Sequence, residues 1–179
     1  MASATMPLKE NAACISRLFA EHHRRILVAA YRITGSMADA EDIAQTVFLR
    51  LTGSDAEGMK NPGSYLYRAA INGALDLLRR RKTAAVEPLE LADSLASGRS
   101  DASPDAGIAR SQLVRWLRLA ISELAPRAAE MFTLRYLEEL DNREIARCMG
   151  TSQAVVAVTL HHARAQLKRR LRELERGNL

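Results

Sequence analysis

The chain has 179 residues, 47% of them hydrophobic and 4% aromatic, with a formal net charge of +5 at pH 7, which favours one or two small basic domains with aliphatic cores. Two cysteines, Cys14 and Cys148, are too few for a disulfide framework or a four-ligand zinc site, which indicates a reduced cytoplasmic compartment. No segment resembles a signal peptide or reaches the ~20 apolar residues of a membrane span, so we expect no membrane insertion.

Two helices are predicted at the start of the chain. No convincing run of alternating apolar and polar residues, the pattern of a β-strand, is present. Apolar residues at helical spacing over residues 15–34 end at Gly35, where a left-handed C-cap costs little. A second helix follows a capping-box pattern at Ser36 and Asp39 and stops at Gly53. The residues predicted to form its buried stripe are Ala40, Ile43, Ala44, Val47, Phe48 and Leu51.

Another face of the second helix carries Asp42, Gln45, Thr46 and Leu49. On periodicity alone, a solvated helix surface is the simpler interpretation of this face. An exposed Leu49 among polar neighbours would instead favour a docking surface for another protein.

A third helix is predicted after a turn-rich loop at residues 52–64, and it starts at Pro62 or Ser64. Its apolar stripe comprises Leu66, Ala69, Ala70, Gly73 and Leu77. It ends in four consecutive cations, hereafter the basic run: Arg79, Arg80, Arg81 and Lys82. With Tyr65 and Tyr67 on the same helix, this arrangement is able to stack on unpaired bases and hold phosphates, although tyrosines at helical spacing more often belong to a core.

Residues 83–107 are rich in Ala, Ser, Asp, Gly and Pro, which predicts a flexible linker. A second helical block follows, in which Pro126 suits the first turn of a helix over residues 126–136. The two blocks differ in pattern, so we expect an all-α protein with two small domains, residues 12–82 and 108–176.

The most specific local signal is a helix-turn-helix pattern near the end of the chain. Asp141 and Glu144 form a capping-box pattern for a short helix that ends before Gly150, and Ser152 can cap a last helix that reaches about Arg176. On pattern alone, a plain helical hairpin is the alternative to a DNA-binding unit.

The two faces of the last helix differ when residues are placed at roughly 100° intervals. The face predicted to be buried comprises Val156, Leu160, Ala163 and Leu167. The opposite face comprises Ala154, Val158, His161 and Ala165, flanked by Ala157, His162 and Lys168. This face is small and apolar where proteins that read bases carry Lys, Arg, Asn or Gln. Phosphates can still be anchored by Arg164, Lys168 and Arg169.

The sequence has no motif of an enzyme, a phosphate-binding loop or a metalloprotease, and its scattered acids form no constellation for acid/base chemistry. The pairs His22, His23 and His161, His162 are adjacent, so the two side chains of each pair point about 100° apart on a helix and make no bidentate metal site. We therefore predict no catalytic residue, no metal site and no cofactor.

Three segments, in this order, resemble the extracytoplasmic-function (ECF) group of bacterial RNA polymerase sigma factors. AEDIAQTVFLRL is similar to the segment of sigma region 2 that docks on the polymerase, and NPGSYLYRAAINGALDLLRRRK to the adjoining promoter-melting segment. LAPRAAEMFTLRYLEELDNREIARCMGTS is similar to sigma region 4. The resemblance covers most of residues 12–171 and implies a protein that directs promoter-specific transcription initiation.

The resemblance also implies binding residues. Contacts to the clamp helices of core RNA polymerase would fall on Asp42, Gln45, Leu49 and Arg50. Contacts to the minus-10 element would fall on the loop at residues 52–64, on Asn72 and Asp76, and on the basic run. With the second domain on the polymerase flap, contacts to the minus-35 element would fall on Ser152, Gln153, Ala157, Thr159, His162, Arg164 and Lys168. Catalysis belongs to the polymerase, and an anti-sigma factor or another regulator is implied as a further partner.

The last helix departs from the family pattern at its tip. Family members typically carry Val-Lys-Ser-Arg-Leu-His-Arg-Ala-Arg where this chain has VAVTLHHAR, so Ala157, Thr159 and His162 stand at positions that usually carry a charge. One interpretation is that the helix still enters the major groove and reads thymine methyls and DNA shape. The other is that this face binds a protein, and that the chain is a sigma-like regulator or interaction module with weak minus-35 recognition.

Overall fold

The computed structural model describes residues 8–52, 59, 61–84 and 104–177. Across these residues the chain forms α-helices and no strand, which confirms the predicted all-α fold. The helices are α1 Leu8–Thr34, α2 Met37–Thr52, α3 Pro62–Ala84, α4 Pro104–Ser122, α5 Pro126–Tyr136, α6 Asn142–Met149 and α7 Gln153–Gly177. The chain divides into two compact units, Met1–Ala74 and Leu75–Leu179, so the end of α3 belongs to the second unit.

The junction between α1 and α2 has the predicted glycine end and the predicted Ser36 cap, while the Ser36 N–H donates to Thr34 Oγ1 at 3.3 Å. Gly35 has a φ of 75° and donates its N–H to the carbonyl oxygen of Tyr31 at 2.7 Å. The hydroxyl of Ser36 then accepts the N–H of Asp39 at 3.3 Å, which caps the start of α2. All six apolar residues of the predicted α2 stripe are buried. The start of α1 is earlier than predicted, at Leu8 instead of Ile15.

The buried stripe of α3 is only partly as predicted. Leu66 and Ala70 are buried, but Leu77 is half-buried. The buried residues of α3 are Leu66, Tyr67, Ala70, Ile71, Ala74, Leu75 and Leu78. At Tyr67, the guanidinium of Arg25 from α1 lies 4.4 Å from the centroid of the ring.

The helices next to the predicted linker reach further than the sequence indicates. The end of α3 includes residues 83 and 84, and α4 begins at Pro104, a residue that fits the first turn of a helix because it needs no N–H partner there. The rest of the predicted linker, residues 85–103, lies outside the described residues. Its interpretation as a flexible linker stays a prediction.

The helix-turn-helix pattern is confirmed in the second unit. Asp141 and Glu144 form both halves of the capping box: the Glu144 N–H donates to Asp141 Oδ1 at 2.7 Å, and the Asp141 N–H donates to Glu144 Oε2 at 2.8 Å. Gly150, with a φ of 60°, ends α6, and the Ser152 hydroxyl accepts the N–H of Val155 at 3.3 Å at the start of α7. The core face predicted for the last helix is buried, and it comprises Val156, Leu160, Ala163 and Leu167.

Candidate nucleic-acid and protein interfaces

One face of α2 carries side chains that do not contribute to the core. Asp42, Gln45, Leu49 and Arg50 are all exposed, whereas Leu51 is completely buried. Leu49 is 66% exposed, the largest value among the exposed large apolar side chains of the described residues. These four side chains form an exposed surface of α2 that is separate from its buried stripe.

The α3 helix offers one tyrosine for contact with a base, not two. Tyr67 is 3% exposed beneath Arg25 and belongs to the core, which leaves Tyr65, at 46% exposed, on the surface. Asn72 is half-buried and Asp76 is exposed on the same helix. Most of the loop predicted to contact the minus-10 element, residues 53–58 and 60, lies outside the described residues.

The basic run is not uniformly presented to solvent. Arg80 and Lys82 are exposed, whereas Arg79 and Arg81 are half-buried. Arg79 donates through Nη1 to Asp76 Oδ1 at 2.6 Å and through Nε to the carbonyl oxygen of Ser122 at 2.7 Å.

Within the second unit, Glu123 forms ion pairs with Lys82 and with Arg170. Together with Arg79 these side chains border an open cavity of about 480 Å³. Two cations therefore pair with this one carboxylate, while Arg79 beside them pairs with Asp76.

The surface of α7 opposite its core face is exposed at all but one of the residues predicted to contact the minus-35 element. Val155 and Val158 are 46% and 56% exposed. The other exposed residues of this surface are Ser152, Gln153, Ala154, Ala157, His161, His162, Arg164, Ala165, Lys168 and Arg169. Thr159 is half-buried, so it is the one predicted minus-35 contact on α7 with restricted access.

A cleft of about 360 Å³ lies beside α7, and it adds residues that the sequence analysis missed. Its lining residues are Arg135, Tyr136, Asn142, Ala157, Leu160 and Arg164. Arg135 uses Nη1 for the carbonyl of Leu140 at 2.9 Å, and its guanidinium has further N–H groups that can bind a phosphate. Arg135 and Tyr136 carry no local sequence signal for this role, because only the packing of α5 against α7 brings them next to Arg164.

Two further properties concern the described residues as a group. Nowhere in residues 8–52, 61–84 and 104–177 do three His, Cys, Asp or Glu side chains gather as a metal site would require. In the same part of the chain, every helix is too short or too polar to span a membrane.

Comparisons with known proteins agree with this geometry. Residues 18–84 match the family model of Sigma-70 region 2, and residues 114–167 match that of Sigma-70, region 4. The ECF RNA polymerase sigma factor SigE of Mycolicibacterium smegmatis is 31% identical over 84% of this chain, which spans 59% of that protein. The RNA polymerase sigma-E factor of Streptomyces coelicolor is 30% identical over 82% of this chain, which spans 79% of that protein.

A solved structure, the extracytoplasmic function sigma factor SigJ of Mycobacterium tuberculosis, is 26% identical to this chain. The match covers 86% of this chain and 52% of the SigJ chain, with a TM-score of 0.48.

A helical unit that matches Sigma-70 region 2, followed by a helix-turn-helix unit that matches Sigma-70 region 4, defines a DNA-binding protein of transcription initiation. The chain belongs to the ECF group of RNA polymerase sigma factors, proteins that regulate transcription initiation and are not catalysts.

Proposed function

We propose that this chain recruits core RNA polymerase to a restricted set of promoters through separate surfaces on its two predicted domains, residues 12–82 and 108–176. The exposed face of α2 docks on the clamp helices, and the α3 surface engages the melted minus-10 element. The helix α7 binds the minus-35 element while the second domain sits on the polymerase flap. The chain acts in the cytoplasm and contributes no catalytic residue, since bond formation belongs to the polymerase.

The single observation that carries this proposal is the exposure of Leu49. Leu49 is 66% exposed beside the exposed Gln45 and Arg50, in the segment of α2 that resembles the polymerase-docking segment of sigma region 2. Burial of this leucine against the polymerase stabilises the complex by about 1.5–3 kcal/mol.

The DNA side of the proposal is supported by the surface of α7 and the cleft beside it. Arg164 and Lys168 follow the tip of the helix at exposed positions, and Arg135 adds a third cation at the cleft. Cations at the edge of a recognition helix neutralise phosphates and position the helix in the major groove.

The proposal is tested by run-off transcription with core polymerase, the full chain and a pooled library of promoters. The native chain is expected to initiate from a defined set. Leu49→Ala should weaken the chain's affinity for core polymerase by at least about tenfold, as expected for loss of an interface leucine. Leu113→Ala is the matched control, because Leu113 is also exposed, at 51%, but lies on α4. Equal affinities for the two variants would contradict the proposed docking face.

A second candidate function is a sigma-like module whose α7 tip binds an anti-sigma factor or another regulator in place of minus-35 DNA. The observation that favours it is the apolar character of the exposed Ala154, Ala157 and Val158. The variant that carries Ala157→Lys, Thr159→Arg and His162→Arg separates the two candidates. If only this variant depends on the minus-35 sequence in run-off transcription, the native tip is a protein interface.

A further inference from the structure

The tip of α7 carries an apolar surface that recruitment of the polymerase does not explain. Its exposed side chains are Ala154, Val155, Ala157 and Val158. Val155 and Val158 are about half exposed, whereas Val156 between them is completely buried in the core. The folding of the second unit therefore uses Val156 and leaves the other two valines on the surface.

The charges along α7 favour a polyanion as the molecule that covers this tip. The sequence has no acidic residue from Ser152 to Arg172, and Lys168 and Arg169 are exposed. At a rise of 1.5 Å per residue, Lys168 lies about 15 Å from Val158 along the helix axis. The major groove of B-DNA is about 12 Å wide, so the apolar tip can reach the base edges while these cations lie at the phosphates of one wall.

The size of the apolar tip argues against a protein as its occupant. A stable protein interface buries about 800 Å² on each partner, with a contiguous core of large apolar and aromatic side chains. The tip offers two half-exposed valines and two alanines, with His161 and His162 on its border. Small apolar side chains of this kind do fit the one apolar group on the floor of the major groove, which is the C5-methyl group of thymine.

We infer that α7 selects its promoters by thymine methyl groups: Ala157 and Val158 contact the C5-methyls of thymines in the minus-35 element, and Arg164 and Lys168 hold the flanking phosphates. This inference rests on the proposed function, because it assumes that α7 enters the major groove at the minus-35 element. Selectivity then comes from apolar contact, and the hydrogen bonds of a charged tip are not needed.

The first step of the test identifies the element that the complete initiation complex selects. Core polymerase and the full chain transcribe a promoter library in which the minus-35 region is randomised, and the templates that support run-off products are sequenced. Thymine is expected to be enriched at one or more fixed positions of the selected templates.

The second step removes only the methyl groups. Each selected thymine is replaced by deoxyuridine, which keeps every hydrogen-bonding group and lacks the C5-methyl. Initiation is expected to fall roughly fourfold for each contacted methyl, the effect of exposing one methyl-sized apolar group. Because the protein is unchanged, this result does not depend on the folding of a variant.

A pair of variants assigns the effect to the tip. Val158→Ser should remove the difference between thymine and deoxyuridine at one position of the element. Val28→Ser, which changes another exposed valine on α1, should keep that difference.

Three results would overturn the inference. Equal initiation from thymine and deoxyuridine templates, or a selection without thymine enrichment, would overturn it and leave the proposed function intact. Absence of initiation from every template would overturn the proposed function as well.

Discussion

Leu49 and Leu51 are two residues apart on α2 and have opposite environments: Leu49 is 66% exposed, and Leu51 is completely buried. At about 100° per residue, the two side chains point about 200° apart, so one faces the core of the first unit and the other faces solvent. The helix therefore separates residues that stabilise the fold from residues available to a partner.

Substitution of these two leucines should separate stability from binding. Leu51→Ala should lower the free energy of unfolding by about 2–5 kcal/mol, because it leaves a cavity in a packed core. Leu49→Ala should change it by less than about 0.5 kcal/mol while it weakens binding to core polymerase. Urea denaturation followed by circular dichroism measures the first quantity. A comparable loss of stability in both variants would contradict the assignment of Leu49 to a docking face.

Two glycines with open space around them should respond to alanine in opposite directions. A Cβ added at Gly150 or at Gly107 would meet no atom within 4 Å, but only Gly150 has a positive φ, of 60°. Gly150→Ala should destabilise the second unit by about 1–2 kcal/mol through backbone strain at the end of α6. Gly107→Ala lies within α4 and should stabilise the protein by about 0.5–1 kcal/mol. Thermal unfolding of both variants measures these effects. A change of the melting temperature in the same direction for both variants would contradict the prediction.

Reversal of charge at Arg80 should impair promoter opening without loss of polymerase binding. Arg80 is exposed at the end of α3, where the proposed function places single-stranded DNA. Arg80→Glu replaces an attraction to phosphate of about 1 kcal/mol with a repulsion of about 1 kcal/mol at the water-screened helix surface, which lowers open-complex formation more than about tenfold. Permanganate footprinting of unpaired thymines measures the opening. Arg24→Glu on α1 changes the net charge equally and should leave the footprint unchanged.

Added charge at the tip of α7 should steepen the salt dependence of DNA binding. The variant with Ala157→Lys, Thr159→Arg and His162→Arg gains up to three cations. Each additional phosphate contact changes the slope of log K against log salt concentration by about 0.9. Fluorescence anisotropy with a minus-35 duplex at several salt concentrations measures this slope. An unchanged slope would show that the tip does not approach the DNA backbone.

The control for this prediction places equal charge on another helix. Ala12→Lys, Ala13→Arg and Ala20→Arg change exposed alanines of α1 in the first unit. This variant should bind the minus-35 duplex with the salt dependence of the native chain.

The sequence by itself determined those helix ends and buried faces that depend only on residues close together along the chain. Gly35, Pro126 and Gly150 act through their own backbone preferences, and Asp141 caps α6 through a residue three positions away. The core face of α7 follows in the same way from helical periodicity, and so does the exposure of Leu49 on α2. These features are local, so composition and spacing along the chain are sufficient to predict them.

Only the tertiary structure decided which side chains of α3 reach solvent and which residues of other helices lie beside α3 and α7. Tyr67 is buried with Arg25 of α1 against its ring, and Arg79 donates to a carbonyl 43 residues further along the chain. The cleft beside Arg164 likewise requires Arg135 from another helix. Such contacts depend on how whole helices pack, and helix packing is set by the combined shape of many side chains that no local pattern encodes.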